Sequence, residues 1–377
     1  MIKGMTESNN VETTNHEFKV LYMLGMIFVM CGHFGTDILT VGGIFQYDTF
    51  HIPMFIFASG YFYKSKYASN IRMVGNYCKK KIIHLLIPYY VWNLIYYILA
   101  FLIQKKTVFR IVDTQRLTLS NWLFVPFQLA DGAVYNVAAW FLMALFLCQI
   151  FNNLIRYFLQ KIKVVNTDIL MLLISLMGAV LSIELAENGW NVEWRLGGCR
   201  TLYLLFYYNL GVVYKRYLEK VGEKINDIVA IVCCICANLT LISMYGDNVP
   251  ICYNMTFDAG INPFYYMARA IIGILFWLRV VKIITGGLGL NKIGIYYANH
   301  TFSLMMHQGL FEILINGVII KILHKENLLG AYHTQIWFNS LDGMQKAWLP
   351  ILVSASILLC IKIYDYLIER LKGLMEK

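Results

Sequence analysis

Charge is what this sequence has least of. Asp, Glu, Lys and Arg make up 14% of the 377 residues, against about 25% in an ordinary soluble domain. That shortage excludes a disordered chain and the solvated surface of a soluble enzyme. Proline is scarce as well, with six in all. The nine cysteines fall mostly inside apolar runs. They have neither the paired spacing of a zinc site nor the loop positions of a disulfide framework, so they read as small apolar fillers. There is no P-loop, no HExxH, no GxSxG and no metal-ligand cluster, so no ATP engine and no metal is expected. Residues 1–17 are polar, and no cleavable signal peptide is expected there.

What is abundant is apolar surface. Hydrophobic residues reach 59% and aromatics 15%, which points to an integral membrane protein. Ten segments approach the ~20 residues that a span requires: 18–36, 44–63, 82–103, 133–151, 168–185, 201–214, 228–245, 263–281, 295–320 and 347–368. Basic residues crowd into the even connections and both chain ends, as in Lys79-Lys80-Lys81 and Lys215-Arg216. By the positive-inside rule this sets both termini in the cytoplasm. It also accounts for the net charge of +10 without nucleic acid as a partner. The expected fold is all-α and polytopic, with about ten transmembrane helices. The polar segment 1–17 precedes a membrane domain at 18–368, and a tail at 369–377 follows.

Polar groups inside such spans are expensive and need a partner, a water cavity or a purpose. His33 and Asp37 are four residues apart at the end of the first span, so they are expected to share a helix face. A carboxylate beside an imidazole fixes its tautomer and suits it to take a proton from a hydroxyl. The second span carries His51 just before Pro53, which suggests a broken or kinked helix lining a cavity. Ser59-Gly60 in that span permits close helix approach. Arg269 sits in mid-span and requires an anion, from Glu312, Asp37 or a ligand. His307 and Glu312 share the ninth span, with His300 nearer its start. Lys79, Lys80 and Lys81 read either as a topological anchor or as a phosphate-binding rim. Interfacial belts and helix packing account for the aromatics as well as sugar stacking does.

Several segments together resemble the acyltransferase-3 family of bacterial multi-pass membrane proteins, over about residues 18–368. Gly32-His33 resembles the histidine that closes that family's first helix. The run Phe50-His51-Ile52-Pro53-Met54-Phe55-Ile56-Phe57-Ala58-Ser59-Gly60-Tyr61-Phe62 is similar to the pattern H-x-P-[ML]-F-x-F-x-S-G-[YF]. Lys79-Lys80-Lys81 followed by Leu85-Leu86-Ile87-Pro88-Tyr89 resembles the opening of the family's third helix. Ala139-Trp140-Phe141-Leu142 resembles its fourth. Phe206-Tyr207-Tyr208-Asn209-Leu210-Gly211 and Ser303-Leu304-Met305-Met306-His307 match weaker signatures.

The resemblance implies transfer of an acyl group, usually acetyl from acetyl-CoA, to a hydroxyl of a surface polysaccharide or its lipid-linked precursor. The setting it implies is the bacterial plasma membrane, in contact with membrane lipid and within a possible glycan-synthesis complex. His33 is then the expected catalytic residue, oriented by Asp37. His51, Ser59, Lys79, Lys80, Lys81, Arg269 and His307 are the expected substrate or donor contacts. One departure stands out: the family usually has a basic residue eleven positions before the histidine, where this chain has Tyr22, with Lys19 one turn earlier. An exporter of the polysaccharide or its lipid-linked unit, or a silent assembly partner, are the alternative readings.

Overall fold

The computed structural model describes residues 16–34, 39–106, 118–128, 137–252, 254–258, 260–287, 291–324 and 346–375. The regular structure of the described residues is helical; an isolated bridge between Ile251 and Thr256 is the one β feature among them. In chain order the helices are α1 (His16–Phe34), α2 (His51–Tyr61), α3 (Ile71–Lys81), α4 (Ile87–Lys106), α5 (Leu119–Gln128), α6 (Trp140–Lys161) and α7 (Thr167–Leu185). They continue as α8 (Glu193–Val213), α9 (Glu219–Gly222), α10 (Asp227–Tyr245), α11 (Pro263–Gly287), α12 (Asn291–Asn299), α13 (Thr301–Ile322) and α14 (Leu349–Met375).

Among the described residues six helices are long and apolar enough to cross a membrane: Ile71–Leu99, Trp140–Lys161, Thr167–Trp190, Asp227–Tyr245, Thr301–Ile322 and Leu349–Arg370. This all-helical architecture is that of a membrane protein. Several expected spans differ in form. The second shrinks to the 11 residues of α2, led by a 3-10 turn at Tyr47–Thr49. Pro53 is the third residue of α2, inside the first turn, where a missing N–H costs nothing. It starts the helix and does not kink it. The ninth expected span is cut at His300 into α12 and α13. The sixth begins at Glu193, eight residues earlier than expected, and so takes in Arg200.

Local chemistry sets several boundaries. Asn70, Asn166 and Asn226 cap α3, α7 and α10 by accepting backbone N–H bonds from Met73, Ile169 and Ile228, which satisfies donors that a helix start leaves open. Between α3 and α4 the helix passes through a π turn at Ile82–Leu86. Pro88 has no N–H to give the carbonyl of His84, and the ladder widens to Ile87 N–H on Ile82 O.

Packing is tightest where α2 crosses α8. A Cβ on Gly60 would overlap the carbonyl oxygen of Tyr208, and a Cβ on Gly211 would overlap that of Phe57. Two glycines, one from each helix, therefore let the backbones touch. At the start of α2 lies an aromatic core: Phe28 meets Phe50 and Trp277 edge-on, and Phe45 stacks on Phe276. By contrast α10 keeps only Asn238 buried and runs along the outside of the bundle.

Candidate functional site

The site forms where the end of α1 meets the start of α2. His33 is exposed there, one residue from Phe34, the last residue of α1. The turn Tyr47–Thr49 packs against this end: Tyr47 lies next to Gly32, with Asp48 just behind it, and Tyr47 bonds the carbonyl of Cys31 at 3.5 Å. His51 is close enough to His33 for their charges to interact. Asp37, expected as the partner of His33, lies outside the described residues.

The tautomer of His51 can be read from its hydrogen bond. Its Nδ1 is 2.6 Å from the carbonyl oxygen of Tyr47. A carbonyl only accepts, so Nδ1 carries the hydrogen and Nε2 is left with a lone pair. Asp48 Oδ1 stands 3.9 Å from the same Nδ1. The structure thus puts a histidine–carboxylate pair at this end, three residues apart on the turn before α2. The sequence reading had looked for such a pair on α1.

Arg200 was missed in the sequence because it was assigned to a connection. It is 1% exposed on α8, with its guanidinium 4.5 Å above the ring of Trp140. The signal was present: Leu196, Cys199, Arg200 and Tyr203 continue the 3–4-residue spacing of the α8 buried face upstream. Arg200 and Asp48 both lie within electrostatic reach of Cys252. Burial pushes that thiol up to about 12, so Cys252 is not a thiolate nucleophile at neutral pH.

Arg269 finds a partner that the sequence reading did not consider. Its Nη2 bonds Asp247 Oδ1 at 2.9 Å, its Nη1 bonds the carbonyl of Asn248 and the hydroxyl of Tyr265, and its Nε bonds Asn238 Oδ1. Among the described residues its anion is Asp247 and not Glu312. The same groups hold the segment leading into the site. Asp247 Oδ2 accepts from Gln46 Nε2 at 2.6 Å, and Asn238 Nδ2 donates to the carbonyl of Ile44. Gln46 immediately precedes Tyr47 and Asp48, so Arg269 supports the turn that carries them.

The other expected residues are spread out. Ser59 Oγ is 3.0 Å from the hydroxyl of Tyr22, so the residue at the position of the usual family cation is joined directly to the α2 motif. Lys19 reaches Asn299 Oδ1 at 2.9 Å. Lys79 and Lys80 are exposed on the last turn of α3, and Lys81 lies 5.2 Å from the ring centre of Tyr77. Tyr77 packs on Tyr67, so the three lysines lie beyond the Tyr61 end of α2, away from His51. His307 packs on α4, its Nδ1 bonded to Tyr96 and its ring 4.5 Å from that of Trp92. Among the described residues no group of His, Cys, Asp or Glu is placed to hold a metal ion.

The arrangement offers an accessible histidine, a second histidine with an open nitrogen, a carboxylate and a buried cation. It suits proton abstraction from a hydroxyl next to a developing oxyanion. No curated protein and no solved structure is similar enough to the chain to count as a match. A family model described as an acyltransferase domain matches residues 15–367, nearly the whole length, and the chain belongs to the acyltransferase-3 family.

Proposed function

We propose that this membrane acyltransferase O-acetylates a sugar hydroxyl of a cell-surface polysaccharide, or of its lipid-linked precursor, with acetyl-CoA as donor, in the bacterial plasma membrane. The observation that carries the reading is the packing of the Tyr47–Thr49 turn, which leads into His51, against Gly32 beside His33, with Asp48 3.9 Å from His51. His33 takes the proton of the acceptor hydroxyl as its oxygen attacks the thioester carbonyl. The C–O bond forms, the C–S bond breaks, and the proton passes to the leaving thiolate. General base assistance of this kind contributes about 10²–10⁴-fold. Arg200 supplies fixed positive charge for the oxyanion of the tetrahedral intermediate.

Lys79, Lys80 and Lys81 are proposed to receive the CoA phosphates on the cytoplasmic side. The length of α2, about 16 Å at 1.5 Å per residue, is then bridged by the extended thioester arm of the donor. Ten spans and cytoplasmic termini remain part of this proposal, on the distribution of basic residues.

The test is the O-acetyl content of the host's surface glycan by proton NMR, in wild type, a deletion and His33→Ala, at matched protein levels. Loss of acetyl in both strains with glycan yield unchanged supports the reading. Unchanged acetyl with loss of surface glycan in the deletion overturns it in favour of an exporter.

A further inference from the structure

One helix carries polar side chains that the protein leaves unsatisfied. On α13, Gln308, Glu312 and Asn316 recur every fourth residue and form a single stripe. At 1.5 Å per residue the stripe is about 12 Å long. Gln308 is 5% exposed and Asn316 is 3% exposed. Both amide atoms of Gln308 and Oδ1 of Asn316 are buried without a hydrogen-bond partner. Glu312 lies half-buried between them, and none of the ion pairs among the described residues includes it.

The stripe faces the interior. Leu304, Met305 and Ile320 on that side are buried, whereas Leu314 and Val318 opposite are exposed. Helix α4 covers a different side, through His307, Leu310 and Ile313. The inward face packs towards α1, α14 and the 3-10 turn Val137–Ala139, and that turn runs directly into Trp140, the platform of Arg200.

A buried amide without a partner is costly, and native proteins rarely keep several in one row. Three apolar residues would suit a membrane helix better. The stripe therefore has the character of a binding track whose partners come from outside the chain. Primary amides both donate and accept, and the stripe has no cation. A carboxyl group at its centre disfavours phosphate. The matching ligand is neutral and rich in hydroxyls.

We propose that Gln308, Glu312 and Asn316 form the track that seats the carbohydrate acceptor. The assignment rests on the transferase reading for its substrate class, but it stands on the unsatisfied amides for its location.

The experiment uses the purified full chain in lipid nanodiscs. Glucose and N-acetylglucosamine oligomers of one to four units are titrated by calorimetry, and CoA is titrated separately. Wild type is expected to bind at least one saccharide. Gln308→Leu and Asn316→Leu are each expected to weaken that binding at least tenfold. They leave CoA affinity unchanged, and they keep or raise the melting temperature because an unsatisfied polar group has gone. Glu312→Gln, which preserves shape, is expected to weaken saccharide binding a few-fold; with the remaining leucine variant it decides the matter if one leucine variant misfolds. The proposal is overturned if no saccharide in the series binds, if the leucine variants bind it as wild type does, or if CoA affinity falls in parallel. Saccharide binding that depends on Gln308, without any acetyl transfer, keeps the track and removes the transferase reading.

Discussion

The two ends of α2 handle charge in opposite ways. Beyond Tyr61 the buried ionic groups are closed on one another. Arg156, 2% exposed, gives Nε to Asn152 and Nη2 to Asn209, and pairs through Nη1 with Asp168. The second oxygen of Asp168 takes Arg216, which also reaches Ser65. Tyr61 and Tyr63 bond Glu219 and Asn153. At the His51 end Arg269 and Asp247 close on each other in the same way, but three groups are left open: an exposed His33, a free Nε2 on His51, and an Asp48 side chain that is 51% exposed. Saturation marks charge used for architecture, and open valence marks charge kept for chemistry.

The sharpest test of this contrast is to remove one group from each end. His33→Ala should lower transfer by about 10²–10⁴-fold and leave the melting temperature within a degree or two of wild type. Asp168→Ala should do the reverse. It leaves two arginines facing each other in a buried site, a loss of about 3–5 kcal/mol, read as a large drop in thermal stability in detergent. If Asp168→Ala is as stable as wild type, the closed network is not structural and the comparison fails. Gly60→Ala comes next. A methyl group driven into the Tyr208 carbonyl costs about 1–3 kcal/mol, and Gly211→Ala should cost a similar amount. The pair should be non-additive in a double-mutant cycle because both act on one crossing.

Smaller effects sharpen the open end. Arg269→Met should lower kcat about tenfold, consistent with a role in holding Gln46 and the Tyr47–Thr49 turn, with little change in donor KM. A rise in donor KM alone would return Arg269 to ligand binding. Replacing Lys79, Lys80 and Lys81 together by Gln should raise the acetyl-CoA KM only a few-fold. That change should vanish at high salt, since exposed charges are screened over about 10 Å at 0.1 M ionic strength.

Much of this could be read from the sequence where one segment carried the whole message. The Phe50–Phe62 run disclosed α2, its histidine and its glycine. The low charge disclosed the membrane. What was lost lay in pairings between segments. Arg269 looked like a mid-span cation awaiting a ligand because its anion, Asp247, sits in a connection that no span pattern includes. Arg200 was hidden by a helix start placed eight residues late. Polar letters such as Glu193 and Arg195 lower the apolar average even when the helix continues. The role of Asp48 was invisible because a 3-10 turn has no periodicity to read. His33 stood out early because a titratable residue in an apolar run is costly wherever it lies.

The glycine crossing of α2 and α8 has a mechanical consequence. With backbones in direct contact and no side chain between them, there is no compressible layer along which these two helices could slide. Gly60 and Gly211 therefore rivet them into one stiff beam, with His51 near one tip and Tyr208 towards the other. Any rearrangement that admits a donor or releases a product must pivot around this beam, and must find its give among the loosely covered outer helices such as α10.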